Sequence, residues 1–259
     1  MAKNNKISSQ VVEESADSAA EIIAANSAAD VVSDNTPEIV GDIAEVAAQE
    51  TLNQSHYFSA GVYTIVKPEF LTMARTVSKE YISKSKQEIT MDKIYPVVMS
   101  NSFFNDERIR PLADYIADTA RTVLSSQGYN MNLYQMTYYE MWCQEHYQYS
   151  GQEEHIHPHA HISGFYFLDV PKDSQRVIFH DPRPAKVYSN LAESNMSNAT
   201  YASTMINYVP EPGMLMLTNS WLPHSFTKNP SKTAMRFIHF NLGVTYIPPA
   251  CEFAPAEVV

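Results

Sequence analysis

The pattern of hydrophobic positions divides the chain into two helical segments followed by a series of strands. Apolar residues recur at helical spacing over residues 68–83 and again over residues 106–126, where Gly128 follows as a stop signal. Pro111 falls in the first part of the second segment, so the start of that helix is expected to shift. From residue 131 onward the pattern changes to short aromatic and β-branched runs separated by turn residues. The order predicts a mainly β fold, a sandwich or barrel with two N-terminal helices packed on one face.

The predicted strands are short and closely spaced. They cover residues 57–66, 95–99, 133–142, 162–170, 176–180, 214–218, 223–227 and 234–247. Between two of them, residues 188–203 form a polar stretch rich in Asn and Ser. Insertions of this length between strands are often lids or binding loops, so substrate selectivity is expected there.

The first 55 residues differ in composition from the rest. They contain no aromatic residue, and residues 1–50 hold ten acidic residues against two lysines. Such a segment buries too little apolar surface to offset the entropy of ordering, which predicts a disordered acidic Ala/Ser-rich tail over residues 1–55 and one folded domain over residues 56–259. The tail carries most of the net charge of −11. A chain without clustered Lys and Arg is not expected to bind nucleic acid.

Cellular location is predicted from what the sequence lacks. Cys143 and Cys251 are the two cysteines, too few for a disulfide scaffold in a chain of this size, which favours a reducing cytoplasm. No apolar run of 18 residues or more is present, and the N-terminus does not resemble a signal peptide. A cytoplasmic protein without a membrane segment is expected.

Four histidines at every second position are the most informative feature. His155, His157, His159 and His161 lead into the apolar run at residues 162–168, and His224 follows far downstream. In a strand, residues i and i+2 share a face, so any adjacent pair could present two imidazoles to one metal ion, with His224 as a third ligand. The pairs 155/157, 157/159 and 159/161 all remain open on spacing alone. A solvated surface run, or adventitious zinc binding, is the alternative without a function.

The order of these segments resembles a known family. His-Ile-His-Pro at 155–158, Ser-Gly-Phe-Tyr-Phe-Leu at 163–168 and Trp-Leu-Pro-His-Ser at 221–225, followed by Arg236, are similar to the 2-oxoglutarate/Fe(II)-dependent dioxygenase superfamily. The nearest group is the prolyl-hydroxylase-like proteins of phages and bacteria, whose substrates are unknown. The resemblance covers roughly residues 57–247 and implies a double-stranded β-helix, a jelly-roll barrel.

The resemblance also implies residue roles. His155, His157 and His224 would bind Fe(II), and Arg236 would anchor the distal carboxylate of 2-oxoglutarate with help from Ser163 or Tyr166. A guanidinium matches a carboxylate in a bidentate fork, and Arg236 shares a strand face with apolar residues, so its side chain is expected to point into a cavity. The implied reaction uses O2 to hydroxylate a C–H bond of a protein or small molecule and releases succinate and CO2.

Two features depart from the family pattern. The usual metal site has two histidines and a carboxylate, whereas three imidazoles form a neutral site that holds Fe(II) less firmly and admits other divalent ions. The position after Tyr166 is Phe167, where prolyl hydroxylases often have a second tyrosine. Two alternative functions follow: a non-catalytic binding or virion-associated jelly-roll module with a retained metal site, and a three-histidine cupin-like dioxygenase. His146, His180 and His239 are interpreted as structural.

Overall fold

The described part of the chain folds into ten strands and three α-helices. The structure, a computed structural model, describes residues 58–88, 90 and 92–248. The prediction of a disordered tail over residues 1–55 lies outside the described residues. The helices are α1 (Leu71–Glu88), α2 (Arg110–Ser126) and α3 (Pro184–Tyr188). The strands are β1 (Val62–Val66), β2 (Val97–Met99), β3 (Tyr134–His146), β4 (Gln152–His155), β5 (Ile162–Asp169), β6 (Val177–His180), β7 (Met205–Tyr208), β8 (Met214–Asn219), β9 (His224–Phe226) and β10 (Met235–Tyr246).

These strands form two antiparallel sheets. The larger has the order β1-β8-β5-β10-β3-β2, and the smaller has the order β4-β9-β6-β7. From β3 to β10 the chain crosses repeatedly between the sheets, as in a jelly roll, whereas β2 pairs with β3 and β6 with β7 within one sheet. The predicted mainly β jelly-roll fold is confirmed.

The core lies in two layers on either side of the larger sheet. One face of this sheet packs against α1 and α2, where Ile238 and Phe240 of β10 are fully buried. The other face turns toward the smaller sheet, where Phe237 of β10 packs with Phe165 and Phe226. Successive residues of a strand point to opposite faces, so β10 contributes to both layers. The second layer is the barrel interior.

The helices agree with the sequence pattern apart from their ends. Proline at residue 68 opens a short 3-10 turn, Pro68–Phe70, and α1 then continues to Glu88, beyond the predicted end near residue 83. Pro111 lies in the first turn of α2, which therefore begins at Arg110 instead of near residue 106.

Three elements were not predicted. β4 consists of Gln-Glu-Glu-His and has no apolar residue, so it carries no alternation of apolar and polar positions. β7 has four residues at the end of the polar insertion, and α3 is a single turn that begins at Pro184. All three belong to the smaller sheet or its connections, where partners that are distant in sequence supply the hydrogen bonds.

Candidate metal centre

Two short strands of the smaller sheet bring three histidines together. His155 is the last residue of β4 and His224 is the first of β9, and the two are direct partners in the antiparallel register. His157 lies two residues beyond β4, where its backbone N–H donates to the Ser220 carbonyl at 2.9 Å. The strand ends at His155, so His157 lies just beyond it and before the turn at residues 158–159.

The ligand atoms of these three side chains lie within 4.8 Å of one another. Nε2 of His157 and Nε2 of His224 are separated by 3.3 Å. His159 has a positive φ of 74° and is exposed, and His161 is also exposed. Neither joins the cluster, so of the pairs that the sequence left open, the structure groups 155/157 with His224.

Hydrogen bonds to the backbone fix the tautomers of two of the rings. Nδ1 of His155 lies 2.7 Å from the Glu153 carbonyl, and Nδ1 of His224 lies 3.1 Å from the Leu222 carbonyl. A carbonyl only accepts, so each Nδ1 carries the proton and each Nε2 presents a lone pair. Metal-binding histidines are oriented in this way, with the second ring nitrogen donating to a carbonyl or carboxylate.

Burial keeps two of these rings uncharged. Desolvation, followed by the proximity of His155, lowers the pKa of His157 to about 4 and that of His224 to about 3. Both imidazoles are therefore neutral at physiological pH and able to donate a lone pair.

Beside them, Oε1 of Gln152 is buried without a hydrogen-bond partner among the described residues, while its Nε2 lies 3.3 Å from Nε2 of His155. The donor set fits a divalent transition metal.

A fourth histidine contacts one member of this group. His239 of β10 is buried, and its Nε2 lies 3.1 Å from Nε2 of His157. The ring stacks on Trp142 with centroids 4.3 Å apart and meets the edge of Phe165 at 4.9 Å. The sequence reading assigned this residue a structural role because it alternates out of phase with Arg236. His239 shares a face of β10 with Phe237, which lies in the barrel interior. This alternation was the sequence signal that could have placed His239 near the metal site.

Arg236 is not brought to the histidines. The expectation that it shares a face with Ile238 and Phe240 holds, but this face packs against the helices and not into the barrel interior. Its guanidinium donates to Glu145 at 3.0 Å and to Asp169 at 3.0 Å. Two carboxylates on neighbouring strands therefore occupy it. The prediction that Arg236 points into the metal cavity is wrong.

The two other predicted co-substrate contacts differ in their placement. Tyr166 also faces the helix side, and its hydroxyl donates to the Lys67 carbonyl at 2.6 Å, so the expected contact with the co-substrate is contradicted. Ser163 is buried, and its hydroxyl donates to Oδ1 of Asn241 at 2.6 Å. Nδ2 of Asn241 is 3.4 Å from Nδ1 of His157. Ser163 thus reaches the metal cluster through Asn241.

A cavity of about 340 Å³ adjoins this region. Phe179 and Leu222 line it, and both also flank His224: Phe179 as its strand partner and Leu222 through the carbonyl bond to Nδ1. On the outer side, Thr200 and Tyr201 of the predicted insertion line the same cavity. The insertion therefore borders a cavity whose lining includes two neighbours of His224 but none of the three histidines.

Sequence comparison identifies the family of the segment that carries this cluster. Residues 140–241 match the model of a family described as "Putative 2OG-Fe(II) oxygenase". This range runs from β3 to β10 and includes the three histidines of the cluster as well as His239. No curated protein matches the chain.

Solved structures of other proteins share this fold at low sequence identity. The carbocyclase SnoK from nogalamycin biosynthesis, titled non-heme and alpha-ketoglutarate-dependent, is similar with a TM-score of 0.54, 11% identity, and coverage of 75% of this chain and 85% of that chain. AviO1 from Streptomyces viridochromogenes Tue57 has a TM-score of 0.50 and 12% identity, with coverage of 73% and 92%. A prolyl-4-hydroxylase from Pseudomonas putida has a TM-score of 0.46 and 12% identity, with coverage of 71% and 93%.

The family match confirms the resemblance that the sequence motifs indicated. Residues 140–241 are similar to 2OG-Fe(II) oxygenases, a family whose name gives iron and 2-oxoglutarate as its cofactors, and the chain has a jelly-roll fold. Among the described residues, no helix has the length and apolar character needed to span a bilayer.

Proposed function

We propose that this protein is a 2-oxoglutarate- and Fe(II)-dependent hydroxylase in which His155, His157 and His224 bind the iron. The observation that carries the proposal is the convergence of three imidazoles. In two of them, Nδ1 donates to a backbone carbonyl, so Nε2 carries no proton and presents a lone pair. A ring fixed in this way is already oriented for coordination before a metal arrives. Three protein ligands leave coordination positions open for co-substrate and O2.

The parts of the proposed site have different roles. Iron, when bound, supplies the activation of O2 that hydroxylation of a C–H bond requires. The antiparallel pairing of β4 and β9 holds His155 opposite His224, while Ser163 and Asn241 form a hydrogen-bonded support beside His157. The aromatic side chains of the interior, such as Phe165 against His224, exclude water from that side of the cluster.

The substrate would enter through the cavity that the insertion lines, which reaches Phe179 and Leu222 beside His224. Its inner wall is apolar at Phe179 and Leu222, and its outer wall carries Arg183 and Tyr201, whose side chains meet at 3.3 Å. Such a space suits a side chain or a small molecule with an apolar C–H bond at its inner end. The expected products are the hydroxylated substrate, succinate and CO2.

The test is a co-substrate titration without oxygen. Anaerobic addition of 2-oxoglutarate to the Fe(II)-loaded full chain should produce the weak visible charge-transfer absorption of a bidentate keto acid on iron, and admitting O2 should release succinate. The His224→Ala variant should show neither signal. Iron binding without an absorption change and without succinate would contradict the proposal.

A second candidate function is favoured by the placement of Arg236. With its guanidinium bound to Glu145 and Asp169, the distal carboxylate of 2-oxoglutarate lacks the expected partner. A three-histidine dioxygenase that oxidises its substrate directly, without a keto acid, needs no such partner. Consumption of O2 that is independent of 2-oxoglutarate would support this second function and exclude the first.

A further inference from the structure

We propose that Gln152 binds the co-substrate of this centre: its side-chain amide donates a hydrogen bond to the keto-acid carboxylate that chelates the metal. The inference rests on the proposed function, because it names a further residue of the same site. The three imidazoles stay the protein ligands of the metal, and Gln152 acts on what fills a position beside them.

An irregularity in β4 turns the Gln152 side chain toward the cluster. In the pairing of β4 with β9, Gln152 lies opposite Phe226. His155 lies opposite His224, so three steps along β4 match two steps along β9 and β4 contains one extra residue. Residues three apart in a regular strand point to opposite faces, whereas a bulge re-aims a side chain and is common beside active sites. The amide of Gln152 therefore reaches the ring of His155, at 3.3 Å.

The amide faces the nitrogen that a metal would bind. Nδ1 of His155 donates to the Glu153 carbonyl, so Nε2 of this ring carries a lone pair and accepts. The group 3.3 Å from that Nε2 is therefore the amide NH2 of Gln152, acting as the donor. A metal bound at about 2.1 Å takes the same lone pair. The N–H groups of Gln152 thus lie on the metal side of His155.

Metal binding removes the acceptor of this amide. In the metal-free protein, Nε2 of Gln152 is bonded to His155, while Oε1 is buried without a partner among the described residues. Once a metal occupies the lone pair of His155, the N–H groups lose their partner as well. Unpaired polar groups in a buried position are unfavourable, so an oxygen ligand on the metal is the expected new acceptor.

The chemistry of the amide selects the chelating carboxylate of the co-substrate. A keto acid brings an anionic oxygen to the metal, and hydrogen bonds to a charged acceptor are stronger than those to a neutral one. Arg236, by contrast, donates to Glu145 and Asp169 and is not brought to the cluster. Gln152 therefore contributes at the metal end of the keto acid, away from the distal carboxylate.

The test is the affinity of the Mn²⁺-loaded full chain for 2-oxoglutarate, measured by isothermal titration. Gln152→Met keeps the length of the side chain but lacks the amide, and it should weaken 2-oxoglutarate binding roughly tenfold or more. Its affinity for Mn²⁺ should not fall, because the three imidazoles are intact. Gln148→Met is the matched control: it removes an amide that donates to the Pro230 carbonyl, and it should change neither affinity.

A spectroscopic signature separates a direct contact from a change in the fold. A hydrogen bond to the chelating end of the keto acid stabilises the ligand orbital that receives the electron in the charge-transfer transition. In the Fe(II)-loaded protein without oxygen, at saturating 2-oxoglutarate, the absorption of Gln152→Met should therefore lie at higher energy than that of the wild type. Gln148→Met should keep the wild-type absorption. An unshifted band in Gln152→Met would contradict the contact.

The outcomes distinguish this inference from the proposed function. If the wild type binds 2-oxoglutarate and Gln152→Met binds it equally well, the role of Gln152 is overturned and the proposed function stands. A wild type that does not bind 2-oxoglutarate would reject both. A fall in Mn²⁺ affinity in Gln152→Met would mean that the amide supports the metal itself, and would likewise overturn the proposal.

Discussion

Each histidine of the cluster is oriented by a different second contact. His155 and His224 donate from Nδ1 to backbone carbonyls, and His157 faces the side chain of Asn241. These contacts decide which nitrogen is free, and they depend on backbone positions that spacing along the sequence does not reveal. Sequence reasoning found the residue types and the third ligand 67 positions away. Spacing alone could not separate the three possible pairs, because it does not reveal that the strand ends at His155 or that His159 has a positive φ.

Substitution of single histidines should separate the cluster from the rest of the run. His155→Ala should lower the affinity for Mn²⁺, a probe for Fe(II), at least tenfold, because one of three ligands is lost. His159→Ala removes an exposed ring from the same run and should leave the affinity within twofold of the wild-type value. Isothermal titration of the metal-free proteins gives both numbers. Equal losses in the two variants would indicate diffuse binding along the run.

Buried neutral histidines should make the metal-free protein sensitive to acid. Burial lowers the pKa of His146 to about 4, below the ordinary value of 6.5. Between these values the unfolded chain binds a proton that the folded chain excludes, so the stabilisation is present above pH 6.5 and is lost as the pH falls toward 4. The loss approaches about 1.4 kcal/mol per pH unit for one such group.

The measurement is urea unfolding of the metal-free protein at pH 7 and pH 5. The free energy of unfolding should fall less between the two pH values for His146→Gln than for the wild type, since glutamine does not titrate. His157 and His224 shift in the same direction, so a part of the dependence should remain. An identical fall in the two proteins would show that His146 is protonated as easily in the folded state as in the unfolded one.

At the level of elements, β10 serves two sides of the larger sheet. Phe237 and His239 face the barrel interior, while Ile238 and Phe240 face the helices. The sequence gives the alternation but not which face is the interior, because both faces are apolar. The sequence analysis assigned the face of Arg236 to the interior. It therefore predicted that Arg236 lies near the metal and that His239 does not. A sheet that is covered on both sides lacks the polar face that would settle the choice.

Removal of the Arg236 side chain should therefore affect stability and not metal binding. Its partner Glu145 is 4% exposed but also pairs with Lys86 at 2.6 Å, so the loss of the charged hydrogen bonds from Arg236 should cost about 1.5–3 kcal/mol. The Arg236→Gln variant should lose this amount in the free energy of unfolding while its Mn²⁺ affinity stays within twofold. Arg110→Gln, which breaks an exposed pair with Glu107, should cost less than about 1 kcal/mol.

The opposite result for Arg236 would restore its sequence-based role. A variant of normal stability that no longer gives the 2-oxoglutarate charge-transfer absorption would mean that the guanidinium reaches the co-substrate. Measuring unfolding and the absorption on the same preparation of Arg236→Gln distinguishes the two accounts.

Close packing at the centre of β5 gives a further prediction at this scale. A methyl group at Gly164 would collide with the Met216 carbonyl and the Phe240 ring. Gly164→Ala should therefore lower the free energy of unfolding by about 3 kcal/mol, the range expected for overpacking. Gly128, with a φ of 94° and no neighbour within 4 Å, is the control, and Gly128→Ala should cost only about 1–2 kcal/mol. Equal losses in chemical denaturation would argue against a tight contact between β5 and β8.

For the whole molecule, two helices cover one side of the larger sheet, and the smaller sheet covers the other. Helical periodicity and turn residues were sufficient to predict the helices, most strands and the fold class, because these signals are local. The smaller sheet was predicted less well: β4 and β7 have no strong pattern of their own and depend on pairing with distant strands. The metal cluster lies along this less predictable sheet, so its residues were easier to identify than its geometry.

The most direct test of the account is an anomalous diffraction map of iron-loaded crystals grown without oxygen. The account predicts a single peak per chain, about 2.1 Å from Nε2 of His155, His157 and His224. A peak on the exposed His159 or His161, or the absence of a peak within coordination distance of His224, would contradict it.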